Sequence, residues 1–261
     1  MFCLAALVPS PPILVPELCG GAAPAGAGSP AGADAAGSPA SAVAALRNAV
    51  LAAGQALAEA ASQWTVLGVG DVEQTYDSAA TGTFRGFGPD VLVSLGGSPG
   101  DSVDPDLPLA ALIAGWLSGV VTPRAVVRAQ ILASGSSAQR CAEIGAKLRA
   151  ELDAVDEPQG VLVVADGAAT LSTAAPGYFD PRARAVQTAL EHALASGDGA
   201  ALMEMDPGLC AELMVSGRGA YQALAGLFAG DPEQPMVVEQ YRDAPFGIGY
   251  YVGLWRPDAG R

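Results

Sequence analysis

The sequence predicts an α/β fold, a three-layer αβα sandwich with a mostly parallel central sheet, and two observations predict it. Strand-length runs such as Phe2–Val8 and residues 161–164 are apolar at consecutive positions rather than at alternate ones, as in strands buried on both faces. Between such runs lie longer segments whose apolar residues recur at helical spacing, for example Val43, Leu46, Val50 and Leu57. Strands alternating with helices read as a parallel sheet covered on both sides. The chain has 261 residues, enough for one sizeable core, and we read residues 1–261 as a single domain.

The elements follow in order. The first strand, Phe2–Val8, is stopped by Pro9. Residues 10–17 then form an ordered loop, because Pro11, Pro12 and Pro16 restrict the backbone while Ile13, Leu14 and Val15 ask for burial. Residues 20–38 are a Gly/Ala/Pro-rich stretch with one charge, Asp34, read as a flexible insertion. Ser38 and Pro39 offer a cap and a first-turn proline for a helix to about Gln63. Strands are expected at 64–69, 91–95, 125–132 and 160–165, with helices at 107–117 and 137–152. Helices at 181–196, 200–205 and 210–228 and strands at 236–241 and 247–255 complete the chain.

Charge narrows the function. Lys and Arg number 13 against 27 Asp and Glu, a net charge of −14. That sign excludes a broad basic face for nucleic acid and opposes adhesion to an anionic membrane. No stretch of about 18 uninterrupted apolar residues offers a span. The apolar N-terminus lacks the basic start of a signal peptide and carries four prolines between positions 9 and 16. Cys3, Cys19, Cys141 and Cys210 include no closely spaced pair of the zinc or redox kind. A cytoplasmic protein is expected, with a small-molecule ligand or a second copy of itself as partner.

In sheets of this kind ligands bind beyond the carboxyl ends of the strands. The residues just past each predicted strand therefore supply the candidates. Ser10, Glu17, Asp71 and Asp166 are taken as lining a cleft there, with Arg218 from the segment Ser216-Gly-Arg-Gly219. Arginines are few in this acidic chain, so one facing the cleft would clamp a carboxylate or phosphate. Arg85, Arg182, Arg184 and Arg242 are weighed in the same way against pairing with nearby acids. Asp71, Glu73, Asp166 and Glu239 could hold Mg²⁺ or Ca²⁺, although strand-end acids more often cap loops or pair with arginine.

Familiar nucleotide motifs are incomplete. Gly68-Val-Gly70 lacks the third glycine of a dinucleotide loop, position 73 being Glu, and no Gly-Lys-Ser/Thr sequence exists. Gly96-Gly-Ser-Pro-Gly100 fits a nucleophile elbow, and Ser98, Asp166 and His192 run in the chain order of a hydrolase triad. The elbow leads into a loop, however, and His192 lies on the helix face away from Val186, Leu190 and Leu194.

The opening Ala6-Leu-Val-Pro-Ser-Pro-Pro-Ile-Leu-Val-Pro-Glu17 resembles the start of LigB-like class III extradiol ring-cleavage dioxygenases and their Memo-like relatives, where a strand runs into a His-Pro-Pro loop. Val161-Leu-Val-Val-Ala-Asp-Gly167, Ala175-Pro-Gly-Tyr-Phe-Asp-Pro-Arg182, residues 213–226 and Ala244-Pro-Phe-Gly-Ile-Gly-Tyr250 are similar to that family in order and spacing. The resemblance implies the α/β fold, a non-haem Fe(II) ion held by two histidines and a glutamate, and a further histidine as acid/base. Here Ser10 stands where the first metal histidine is expected, Gly70 and Asp71 where the second is, and Asp166-Gly-Ala-Ala169 in place of a histidine-bearing segment. The glutamate falls near residues 216–218. His192 is the single histidine of the chain, and Fe(II) needs imidazoles that it cannot supply. The expectation is a LigB-like pseudoenzyme with no metal and no cofactor, binding a small polar or aromatic acid. The alternatives are an interaction protein with a vestigial cleft, homodimeric through Phe246, Tyr250, Tyr251 and Trp255, and a residual oxidoreductase or hydrolase.

Overall fold

Alternate residues of the first strand, β1 (Phe2–Val8), enter two separate hydrophobic cores in the computed structural model, which describes residues 1–19, 39–97, 100 and 102–258. Leu4, Ala6 and Val8 pack with residues of α1 (Pro39–Ala60) and α2 (Leu109–Val121). Ala5 and Leu7 pack with residues of α3 (Ala138–Asp153), α4 (Ala183–Ser196), α5 (Gly199–Met203) and α7 (Arg218–Phe228). A strand buried on both sides has no polar face to show, which is why Phe2–Val8 reads as a continuous apolar run.

The remaining strands are β2 (Gln63–Gly70), β3 (Gln74–Tyr76), β4 (Thr81–Thr83), β5 (Leu92–Ser94), β6 (Val126–Ala133), β7 (Gln159–Val164), β8 (Met236–Asp243) and β9 (Tyr250–Arg256). Seven of them form one sheet in the order β3-β6-β2-β7-β1-β9-β8. β6, β2, β7 and β1 run parallel, whereas β3, β9 and β8 each join antiparallel to their inner neighbour. The protein is thus α/β with a mostly parallel seven-stranded sheet. Register decides where the strands stop: Val8 sits opposite Val164, and Gly70 opposite Ala133. Because Leu67 sits opposite Val163, β2 and β6 run on past the ends of β1 and β7, and the loops after all four strands share one rim.

Strands β3 and β4 were not expected from the sequence, and two expected elements take a different form. The strand expected at 91–95 is only Leu92–Ser94 and pairs with β4 in a separate two-stranded sheet. Pro89 before it and Gly96-Gly97 after it cut it short, while β6 pairs with β2 along all eight residues and takes the place beside it. The helix expected at 210–228 is two, α6 (Pro207–Glu212) and α7. Met214 between them has φ 54°, a left-handed conformation that ends a helix. A Cβ on Gly217 would meet Ala165 Cβ and the Asp166 carbonyl oxygen at 2.6 Å, so only glycine lets this break lie against the end of β7. The insertion expected at 20–38 lies outside the described residues.

Candidate functional site

Four polar residues follow the ends of the parallel strands. Ser10 comes after β1, Asp71 after β2, Ser134 after β6 and Asp166 after β7. Ser10, Asp71, Ser134, Asp166, Ser216 and Gly217 line a cleft of about 270 Å³ whose apolar lining includes Val69, Ala110 and Val164. Ser216 and Gly217 reach it because the chain breaks between α6 and α7. The Gly217 N–H donates to the Asp166 carbonyl at 3.0 Å.

Asp166 is the most constrained of these groups. Ser10 donates to both of its carboxylate oxygens, the backbone N–H to Oδ1 at 2.8 Å and the hydroxyl to Oδ2 at 2.5 Å. Burial pushes the carboxyl above its usual range, and the two Ser10 hydrogen bonds pull part of the way back. The position of the carboxylate is fixed from behind: Ala165 pairs with Val8, and the Tyr221 hydroxyl donates to the Ala165 carbonyl at 2.9 Å. Burial, and then the Asp166 charge, raise the Tyr221 and Tyr250 phenols well above their ordinary range, so both stay protonated.

A second, larger cavity of about 650 Å³ adjoins the first and shares Ser134, Asp166 and Ser216 with it. Arg218, Cys210, Met214 and Ile248 are among its walls. Arg218 is only 6% exposed. Its Nη1 donates to Gln222 Oε1 at 2.7 Å and its Nη2 to the carbonyls of Ser134 and Ser136 at 3.1 and 2.8 Å. Among the described residues no carboxylate lies within ion-pair distance of it. Its charge is felt by two buried thiols, Cys141 and Cys210, which burial raises and Arg218 partly lowers.

The cleft thus brings Ser10, Asp71 and Asp166 together and places Arg218 next door, but it excludes Glu17. Glu17 is exposed on the 3₁₀ turn Pro16–Cys19, away from both cavities. The proline-rich loop folds as two short turns that seat Leu14 and Val15 in the core, and Arg47 binds the carbonyls of Ile13 and Leu14. This geometry turns Glu17 to solvent.

For the other charged candidates the plainer reading holds. Glu73 is paired with Arg140 at 2.7 Å, Arg182 with Asp180 and Glu212, and Arg242 with Glu239, so these arginines are not cleft clamps. His192 is exposed on α4 and lines neither cavity, and Ser98 lies outside the described residues. Tyr250, Tyr251 and Trp255, expected on a dimer surface, are at most 2% exposed. Their strand, β9, is interior, between β1 and β8, and Trp255 Nε1 and the Tyr251 hydroxyl both donate to the Leu194 carbonyl.

The Fe(II) ion that the family resemblance implies does not fit the residues present. Among the described residues no three His, Cys, Asp or Glu side chains come together as a metal ion would need, and the cleft supplies carboxylates and hydroxyls without an imidazole. Ser134 and Ser216 were not singled out from the sequence. For Ser134 the signal was present: Ser134-Gly-Ser-Ser137 directly follows an apolar strand. Ser216 depends on a helix break that the helical spacing conceals.

No protein-family model and no curated protein sequence matches the chain. Among solved structures it is similar to the crystal structure of the uncharacterized protein JW3007 from Escherichia coli K12, with a TM-score of 0.49 and 12% identity over 97% of this chain and 99% of that one. Among the described residues no helix is long and apolar enough to cross a membrane.

Proposed function

We propose that the chain is a LigB-like protein with a three-layer αβα fold that binds a small polar or aromatic acid in its strand-end cleft without a metal ion. The observation that carries this reading is the convergence of Ser10, Asp71, Ser134, Asp166 and Ser216 on one rim, where sheets of this topology bind ligands. Asp166 and the serines suit a ligand rich in hydroxyl groups: the carboxylate accepts, and each hydroxyl both donates and accepts. Ser10, standing where the family would place a metal histidine, is bound to Asp166. The four free cysteines fit a reducing, cytoplasmic setting.

Titration calorimetry with 4-hydroxybenzoate on protein first treated with chelator tests the proposal. Saturable one-to-one binding is expected, with elemental analysis finding no stoichiometric iron in the purified protein. Stoichiometric iron, or oxygen uptake with a catechol substrate, overturns it.

A homodimer is a second reading, favoured by one observation. β8 is the outer strand of the sheet, and Met236 and Val238 stand exposed on it, the kind of edge that pairs with another chain. Light scattering that shows a concentration-independent monomer removes it.

A further inference from the structure

We infer that Arg218 is the carboxylate anchor of the ligand, which extends from the strand-end cleft into the adjoining larger cavity, with its apolar body along Met214 and Ile248 and a hydrogen-bond donor, a hydroxyl or ammonium, turned to Asp166 where the two spaces meet. This assignment rests on the acid-binding reading above and names the orientation and class of the acid. A guanidinium withdrawn from water without a carboxylate beside it leaves a positive charge that carbonyl dipoles offset only in part. Among the described residues Arg218 is in that state, 6% exposed and bonded to two carbonyls and one amide oxygen. An arginine has five N–H donors, and among the described residues these three bonds leave two of them, Nε–H and one Nη1–H, without an acceptor. The side chain lines the cavity, so an anion entering it meets a guanidinium already oriented by Ser134, Ser136 and Gln222 and accepts a charge-assisted hydrogen bond from one of the two remaining donors.

The other walls select what accompanies the anion. Pro176, Pro207, Met214 and Ile248 offer apolar surface, which suits a ring or short aliphatic body better than a bare phosphate. Asp166 lines both cavities. Its oxygens retain lone pairs after accepting from Ser10, and a carboxylate there repels a second one. One end of the space therefore attracts an anion and the other repels it, so the ligand can enter in one orientation only. A small hydroxy or amino acid with an apolar body has that polarity.

The test uses three probes: 4-hydroxybenzoate, benzoate, which lacks the donor, and 4-hydroxybenzyl alcohol, which lacks the carboxylate. On wild-type protein 4-hydroxybenzoate should bind tightest and the alcohol at least tenfold more weakly. Arg218→Lys should weaken both acids at least tenfold and leave the alcohol unchanged, because an ammonium with three donors cannot keep the bonds to Ser134, Ser136 and Gln222 and also reach the anion. Asp166→Asn should weaken 4-hydroxybenzoate and spare benzoate. A crystal of the wild-type protein soaked in 4-hydroxybenzoate should show its carboxylate within hydrogen-bond distance of Arg218, a result independent of whether either variant folds. If the acid binds with its carboxylate elsewhere, or Arg218→Lys binds both acids as wild type does, the assignment falls while the acid-binding reading stands. If neither acid binds the wild-type protein, both fall.

Discussion

Arg149, on α3, and Arg218, at the start of α7, are two arginines of the same packed helix pair, and they are satisfied in different ways. Arg149 bonds Asp231 through two nitrogens at 2.6 and 2.9 Å, Asp153 at 2.6 Å and the Leu227 carbonyl at 3.1 Å, and it lies 5.1 Å from the centre of the Phe2 ring. Its positive charge is matched twice over, and the result is a staple joining α3, the end of α7 and the first strand. Arg218 has equally good hydrogen bonds but none to a carboxylate. Arg149 makes four such bonds and Arg218 three, but the larger difference between the two is charge balance. A buried cation matched by acids holds a fold together, and one left unmatched at the wall of a cavity is available to an anion.

The largest expected effect comes from breaking the matched site. Arg149→Met strands Asp231, whose side chain is only 10% exposed, and should cost about 3 kcal/mol of unfolding free energy, the lower end of what removing one partner of a buried pair costs. Chemical denaturation measures it, and affinity for 4-hydroxybenzoate should stay as in wild type. Arg218→Met should cost less, about 1 to 2 kcal/mol, because the loss of hydrogen bonds to Ser134, Ser136 and Gln222 is offset by removing an uncompensated charge. Here the order of the two arginines reverses for binding, with the acid lost and stability largely kept. Equal losses of stability would show that Arg218 is a staple too.

Much of this was legible in the sequence. Uninterrupted apolar runs mark β1 and β7 because both faces of those strands are buried, and the rule that ligands gather past strand ends picks out Ser10, Asp71 and Asp166. Glu17 was misplaced because local sequence shows that prolines stiffen a loop but not which way the two resulting turns carry it. Tyr250, Tyr251 and Trp255 read as surface until strand order puts β9 inside the sheet, and strand order is a long-range property. The break before α7 was hidden because residues 210–228 keep a helical apolar pattern across it; only the close approach of Gly217 to β7 reveals it. Arg218 could be named from its rarity in an acidic chain, yet its lack of a carboxylate partner is visible only in three dimensions.

The smallest effect contrasts the two acids rather than the two arginines. Burial alone would raise the Asp153 carboxyl, but the Phe2 N–H and the Arg149 guanidinium outweigh it and hold the group below its ordinary value of 3.8. Asp166 moves the other way, raised by burial despite Ser10. Linkage gives the two groups opposite signs. A carboxyl with a depressed folded-state pKa adds stability above its unfolded value and loses it as pH falls through the folded one. A carboxyl with a raised pKa adds stability below its unfolded value and loses it as pH climbs through the folded one. Denaturation midpoints followed from pH 3 to pH 7 should therefore diverge. The deficit of Asp153→Asn relative to wild type should be greatest at neutral pH and shrink on acidification, whereas Asp166→Asn should gain on wild type as pH rises above the ordinary carboxylate range. Parallel curves for the two variants would mean that Asp166 is as well matched as Asp153, and would remove the electrostatic distinction between the staple and the cleft.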